Sequence, residues 1–597
     1  MKNPFELVTA SKLSAREAVD LWCDDKRLDR VNGKENCFVN GHRGTGKSML
    51  FRILQHDCQN ILYPETTPDF LAVYFPVRDT EFMTEEFELF QADSQRYIIS
   101  ESHLSLLIVK QLFLTLSRDN SIVTQELRVR FRDLVVSSFS NAFQFCSSTP
   151  HFNSELGFTE FLSETLNLVE AERTRIVAYI ALRLYDGKPF EGPLFLFDTF
   201  LGRISDFFSE SLGQCLYFLI DDGDDLPVSH TVVLNSWIAR RRGSAVFKVS
   251  TMFGYKTFET RYRSAIQHPH DFFQYDIGTR YMTNSAEDYI DLLREICRKR
   301  LRANVAAGDV SDFDPDKFFP LDAAQNEALA ELAAELLQEY KKIYKGRAAR
   351  DYVYRHLTSE YLKILRKKHS VGSFVYSGFS TLAVLSSGHV RDFIICAQRM
   401  YDRAARHGKV VESIPASIQS STVREHADEV LSEIKDVRQK RIRHATDQDW
   451  RRIAKLIDGL CNLFKAKLFS EDSERRVFSF CFQNEPSDEL VRLLELAICE
   501  GYFMRGFISR KEGTGRRVLY VLTRRLGPAY NLDVSAYSGY LSLTSERVEN
   551  LMVSGSDAVE GVLLDSTQMT FFELAGETEG TTGAEQWEFI SPEEAGL

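Results

Sequence analysis

Short, mainly apolar runs recur through the first half of the chain: Cys37-Phe38-Val39, the unbroken Cys215 to Ile220, "AVFKVSTMFG" from Ala245, and the strand-like Phe272 to Ile277. Such runs predict strands covered on both faces, as in a parallel sheet flanked by helices. Elsewhere the apolar residues fall three and four apart. Met49, Leu50, Phe51, Ile53 and Leu54 predict a helix just after the first strand. "LSLLIVKQLFLTLSR" and "ERTRIVAYIALRLYDG" predict two more within residues 83–195, with stripes better suited to packing than to a ligand. From Asp449 the pattern changes to a helix (Trp450 to Phe464), a strand (Arg476 to Phe482), a helix (Glu489 to Cys499) and two extended segments, "YFMRGFIS" and "RRVLYVLT", joined by the turn "RKEGTG".

A length of 597 residues predicts three or four domains. With 44% hydrophobic and 26% charged residues the composition is that of an ordinary globular protein, although 44 Phe and 23 Tyr make it aromatic-rich. The N-terminus has no apolar signal segment and no stretch approaches 18 uninterrupted apolar residues, so neither export nor a membrane span is expected and the chain is read as cytoplasmic. Ten cysteines without a C-x-x-C pair, most of them within apolar runs, are expected as buried, reduced thiols. A net charge of −12 argues against a surface coated for nucleic acid, but the charge is uneven. After Ser545 only Arg547 opposes a series of acids, whereas Lys435 to Arg452 and Ser509 to Arg525 are locally basic. Each basic run suits either a solvated face or phosphate contact.

Between the first strand and its helix lies Gly41-His42-Arg43-Gly44-Thr45-Gly46-Lys47-Ser48-Met49. The spacing G-x4-G-K-S in this context predicts a phosphate-binding loop; a plain helix-entry turn is the alternative. The glycines let backbone N–H groups point inward, Lys47 would reach the β- and γ-phosphates, and the Ser48 hydroxyl would face Mg2+. The run from Cys215 ends in Asp221 and Asp222. Asp221 suits a Mg2+-holding acid, and Asp222 stands where many ATPases carry a Glu that polarises water. Aspartate is one methylene shorter, which predicts slow or partner-stimulated hydrolysis. The next strand ends in Ser250 and Thr251, placed to sense the γ-phosphate, and Arg261 and Arg263 follow as candidate fingers for a neighbouring subunit. "HPHD", His268 to Asp271, is read as a polar turn rather than a metal site.

Lys47, Asp221, Ser250 or Thr251, and "LSSGHVRDFIICAQRM" follow the order of Walker A, Walker B, sensor 1 and sensor 2 in AAA+ ATPases, with Arg391 as the sensor 2 arginine. Together with "LIDDGDDL", "LNSWIARRR" and the C-terminal helix–strand–helix–hairpin pattern, the chain resembles origin-recognition-complex-type AAA+ ATPases, and more narrowly their bacterial branch associated with antiphage defence. The likeness covers the nucleotide core, about a third of the chain, and the winged helix loosely, while 83–195 and 303–370 depart from it. It implies a multidomain α/β protein: AAA+ core 1–82 and 196–282, helical insertion 83–195, helical lid 283–410, winged helix 411–545 and acidic tail 546–597. It further implies ATP and Mg2+ as cofactors, homo-oligomers, and a switch or assembly factor acting on DNA through a wing bearing Arg510, Lys511, Arg516 and Arg517. The alternative is an oligomeric scaffold, gated by nucleotide, whose winged helix recruits a protein effector without DNA. A signalling ATPase of the STAND type is disfavoured because no repeats follow the winged helix.

Overall fold

The structure, a computed structural model, describes residues 3–6, 9–78, 87, 89–90, 92–147, 149–153, 155–182, 188–277, 286–302, 313–343, 347–367, 374–405, 411–436, 445–470, 476–509, 516–535, 539–563 and 567–570. It divides into two units, Val8–Ile277 and Met1–Leu7 with Gly278–Leu597.

In Val8–Ile277 the apolar runs become β1 (Cys37–Asn40), β3 (Cys215–Asp221), β4 (Ala245–Thr251) and β5 (Phe273–Asp276), joined by β2 (Phe70–Pro76), which the sequence reading did not single out. All pair in parallel, in the order β2-β3-β4-β1-β5. Every residue of β1, β3 and β4 is buried, as expected of strands sandwiched between helices. The register aligns the strand ends: Asn40 lies opposite Thr251 and Asp276, and Asp221 opposite Pro76. Candidate chemistry therefore gathers at the C-terminal edge of the sheet, where open α/β sheets bind ligands.

The region expected as a helical insertion, 83–195, contributes to the core of the sheet. Helix Asp93–Arg118 packs against β2 and helix Val228–Ile238, burying Leu104, Leu107, Ile108, Leu112, Phe113 and Leu116. Its apolar faces meet β2 and the neighbouring helices, so one continuous cluster runs from Phe38 through Phe113 and Phe161 to Phe247. Much of the Phe excess is spent here, in edge-on ring contacts such as Phe139 with Phe200 at 5.2 Å and with Phe195 at 5.4 Å. This helix is long and apolar enough to cross a membrane, yet 72% of its most apolar window is buried inside the unit.

In the other unit, helix Asp447–Leu468, β6 (Val477–Phe482), helix Asp488–Cys499 and the antiparallel hairpin of β7 (Phe503–Ser509) and β8 (Arg516–Leu522) follow the expected winged-helix order. The sheet extends further than expected: β9 (Gly539–Leu543) pairs in parallel with β6, and β10 (Thr567–Thr570) pairs antiparallel with β9. The acidic segment expected as a tail from 546 begins as a folded helix, Ser545–Ser554, packed on Asp447–Leu468. Val548, Leu551 and Met552 fall at helical spacing and are buried, which outweighs the acidity around them. Residues 571–597 lie outside the described residues. The segments expected as lid and winged helix also share a polar seam: Arg525 donates to Asp392 at 2.8 Å, the Arg524 N–H to Ser387 Oγ at 2.6 Å, and the Tyr376 hydroxyl to the Leu532 carbonyl at 2.8 Å.

Candidate nucleotide-binding site

Strand β1 delivers the chain into Gly41–Gly46, and helix Lys47–Ile53 begins immediately afterwards. Gly44 and Gly46 have φ of 88° and 98°, conformations an L side chain resists. At Gly41 an added Cβ would lie 2.8 Å from Thr45 Oγ1, so the loop closes only around glycine. Thr45 Oγ1 donates to the His42 carbonyl at 2.8 Å. The buried Lys47 ammonium lies within the loop's curve, donating to the carbonyls of Gly41 at 2.5 Å and His42 at 3.1 Å. Ser48 and Met49 occupy the first turn of the helix, half-buried, and Arg43 is exposed. A helix N-terminus, a loop of left-handed glycines and a lysine together make an anion cradle.

Across the sheet edge, Asp221 closes β3 and is buried. Its carboxylate accepts from the Tyr74 hydroxyl at 2.8 Å and from Ser250 Oγ at 2.5 Å. Ser250 Oγ also accepts the N–H of Asp222 at 2.9 Å, so the two acids are fixed by one hydroxyl. Thr251 turns the other way and donates to Asn40 Oδ1 at 2.6 Å, while Asn40 donates to Asp276 at 2.9 Å. Asp222 has φ 57°, which turns its side chain out of line with the strand. Burial raises the pKa of its carboxyl, as does the charge of Asp221, while Arg78 and Lys47 oppose the rise. Burial pushes Asp224 up to about 6, although its carboxylate accepts the Met252 N–H.

Arg78, missed in the sequence, follows β2 at the same edge and pairs with Asp222 at 3.2 Å and Asp225 at 2.6 Å. Its signal was a cation two residues after the overlooked apolar run "FLAVYFP". These residues fit a phosphate chain and a divalent cation: the loop admits no Cβ, a lysine lies within it, and a buried carboxylate is held by two hydroxyl donors.

The family profile described as ORC-CDC6-like matches residues 3–543. The chain belongs to the ORC-CDC6-like family. Membership makes it an ORC/Cdc6-type AAA+ ATPase by descent. Among solved structures it is similar to the crystal structure of Cdc6p from Pyrobaculum aerophilum, at 10% identity and a TM-score of 0.27, over 94% of this chain and 97% of that one. No curated protein matches it.

Other predicted residues of this ORC-CDC6-like chain are placed differently. Arg261 donates to the buried Glu101 at 2.7 Å within the same chain. Arg263, two residues on, is exposed with φ 58° at the tip of a turn closed by the hydrogen bonds of Thr260 with Ser264 and of Ile266 with Phe258. The basic run Arg240–Arg242 is committed to carboxylates: Arg240 and Arg242 to Asp198, Arg242 also to Asp206, and Arg241 to Asp271. Asp271, in "HPHD", also accepts the Gln267 N–H at 2.9 Å. Arg391 lies in the first turn of helix Val390–Ala404, beside the half-buried Asp392. Arg510 and Lys511 lie outside the described residues, as does the side chain of Arg516; Arg517 is half-buried on β8.

Proposed function

We propose that the chain is an ATP-binding and ATP-hydrolysing AAA+ switch or assembly factor that acts on DNA, in the cytoplasm and in the antiphage setting its sequence resemblance implies. The observation that carries this is the convergence of Lys47 with Asp221 and Asp222 at one sheet edge. Bound ATP with Mg2+ would supply the phosphoanhydride and the cation that offsets its charge. Gly41 to Met49 would hold the phosphates, with Ser48 and Asp221 facing the cation. Asp222 is the acid suited to orient and deprotonate water, its raised pKa bringing it nearer to the basicity that task needs. Arg78 steers that carboxylate. Thr251 senses phosphate through Asn40, and Arg391 serves as sensor 2. Arg263, exposed on its turn, suits a finger offered to a neighbouring copy better than Arg261, whose guanidinium is already engaged.

One observation favours the protein-recruiting scaffold instead. Helix Asp488–Cys499, which a winged helix would offer to a groove, presents Asp488, Glu489 and Glu495, and its one arginine, Arg492, donates to Asp449 at 2.8 Å. Arg452 and Arg505 are likewise paired with Glu489 and Glu495. DNA binding then falls to the wing. Replacing Arg510, Lys511, Arg516 and Arg517 with Ala should weaken duplex binding equally across sequences and flatten the salt slope by roughly 3 to 4 units. ATP turnover measured across protein concentrations, with and without duplex, tests the whole. Turnover should rise with both, and Asp222→Asn should bind nucleotide but not turn it over. Turnover indifferent to duplex, with wing variants that bind as wild type, favours the scaffold; normal turnover by Asp222→Asn removes the hydrolytic assignment.

A further inference from the structure

Behind the phosphate loop lies a buried arginine that the chemistry above does not use. Arg27, on helix Asp25–Val31, is 6% exposed. Its Nη1 donates to the Thr45 carbonyl at 3.1 Å, and its Nε pairs with Asp24 at 2.6 Å. Asp24 is also the N-cap of that helix and accepts the Arg27 N–H at 3.2 Å, so one carboxylate fixes both the backbone and the guanidinium of Arg27. Burying an arginine this deeply is costly unless its charge is paired, and here the carboxylate that caps the helix supplies the counter-charge while Nη1 reaches one peptide of the loop.

That peptide is the bond from Thr45 to Gly46. In a trans peptide the C=O and the following N–H point in opposite directions. With the Thr45 carbonyl held outward toward Arg27, the Gly46 N–H must face the other side of the loop, where Lys47 lies. Gly46 accommodates this at φ 98°, and the nearest atom to a Cβ added there is Arg27 Nη1, at 3.8 Å. Among the described residues the Gly46 N–H has no hydrogen-bond partner, although Gly41 and Thr45, earlier in the loop, donate theirs to backbone carbonyls. We propose that Arg27 is a positioning residue of the phosphate cradle: held by Asp24, it fixes the Thr45–Gly46 peptide so that the Gly46 N–H is presented to a nucleotide phosphate. This rests on the assignment of Gly41–Ser48 as a nucleotide loop. It extends the cradle to the segment before β1, which no phosphate-loop spacing would reveal.

The test uses the full chain labelled with 15N-glycine and titrated with Mg-ADP, reading the affinity and the ADP-induced downfield shift of the Gly46 amide proton. Wild type should show the shift. Arg27→Met should lose about tenfold to hundredfold in ADP affinity, the range for a hydrogen bond to a charged group, and most of the Gly46 shift, with the Gly33 and Gly213 amides unmoved. Arg27→Lys keeps the charge but cannot bridge Asp24 and Thr45 with a planar fork, so it should fold and show the same loss in smaller measure. Full recovery by lysine overturns the peptide-orientation claim, since charge alone would then suffice. Wild-type affinity and shift in Arg27→Met overturn it as well. If Arg27→Met fails to fold, Asp24→Asn, which frees the guanidinium without removing it, must still reduce the shift. Should Lys47→Ala bind ADP as tightly as wild type, the nucleotide loop itself is wrong and the proposal falls with it, an outcome distinct from failure of Arg27 alone.

Discussion

Arg261 offers a sharp test because two roles for it predict opposite results. Its guanidinium meets Glu101 Oε2 at 2.7 Å, while Glu101 Oε1 accepts the Phe197 N–H at 3.1 Å and the Trp237 indole N–H at 3.4 Å. Glu101 is 2% exposed, and the side chain of Arg261 28%. Replacing Arg261 by Met strands a carboxylate in the core with only two neutral donors. Loss of one partner from a fully buried pair costs about 3 to 5 kcal/mol, and the partial exposure of the arginine brings that to about 2 to 3 kcal/mol. For a unit of this length the loss should lower the unfolding temperature by roughly 4–12 °C. Glu101→Gln retains an acceptor for both N–H groups, so the double variant should lose less than the sum of the singles, a coupling of about 1 kcal/mol or more. Thermal unfolding followed by tryptophan fluorescence is well placed, since Trp237 both donates to Glu101 and stacks on Phe197 at 4.9 Å. An Arg261→Met protein that melts like wild type but has lost concentration-dependent turnover would refute the structural role and make Arg261 the finger.

Arg78→Ala should move the acid limb of the turnover profile to higher pH, because Arg78 opposes the raised pKa of Asp222; a limb that stays in place separates Asp222 from catalysis. Asp392→Ala leaves Arg525 without a counter-charge, its guanidinium bonded only to Thr523 Oγ1 and the Gly501 carbonyl, in the seam between helix Val390–Ala404 and the turn after β8, where the two side chains are 14% and 11% exposed. It should destabilise that unit by about 3 kcal/mol, and a normal denaturant midpoint would show the pair to be dispensable. His103 and His230 form a buried pair 3.0 Å apart, and burial depresses both, His103 to about 3. The unfolded chain takes up these protons first, so stability should fall as pH drops from about 6.5 toward 3. His103→Phe should lose part of that dependence, as judged by denaturation at pH 7 and pH 5.

The strands that carry chemistry were legible because each is a mainly apolar run ending in polar residues: "CLYFLIDD" leads to Asp221, and "AVFKVST" to Thr251. β2 was harder to see, since "FLAVYFP" is followed by no motif, and with it went Tyr74 and Arg78, which hold the two acids. The helices of 83–195 were legible as helices, but not their neighbours. A helical stripe says that a face is covered but not by what, and here Asp93–Arg118 packs on helix Phe158–Leu182, on helix Val228–Ile238 and on β2. Likewise, a run of like charges does not say whether apolar residues within it share a face, which is how helix Ser545–Ser554 passed for tail. Arg27 and the pairing of Arg261 with Glu101 depend on contacts between residues far apart in the chain, and no local spacing encodes them.

The position of β1 governs when the molecule comes into being on the ribosome. Its hydrogen-bonded neighbours are β4 and β5 alone, and Asn40 meets Thr251 across 211 residues of chain and Asp276 across 236. At about 5 to 20 residues per second, the strand bearing the nucleotide loop waits roughly 10 to 40 seconds for its first partner to be synthesised. Nascent chains ending before β4 should therefore not be retained on immobilised nucleotide, whereas chains in which β5 has cleared the exit tunnel should be. Nucleotide competence thus arrives late and as a unit, after the phenylalanine-rich helices that β1 must eventually join.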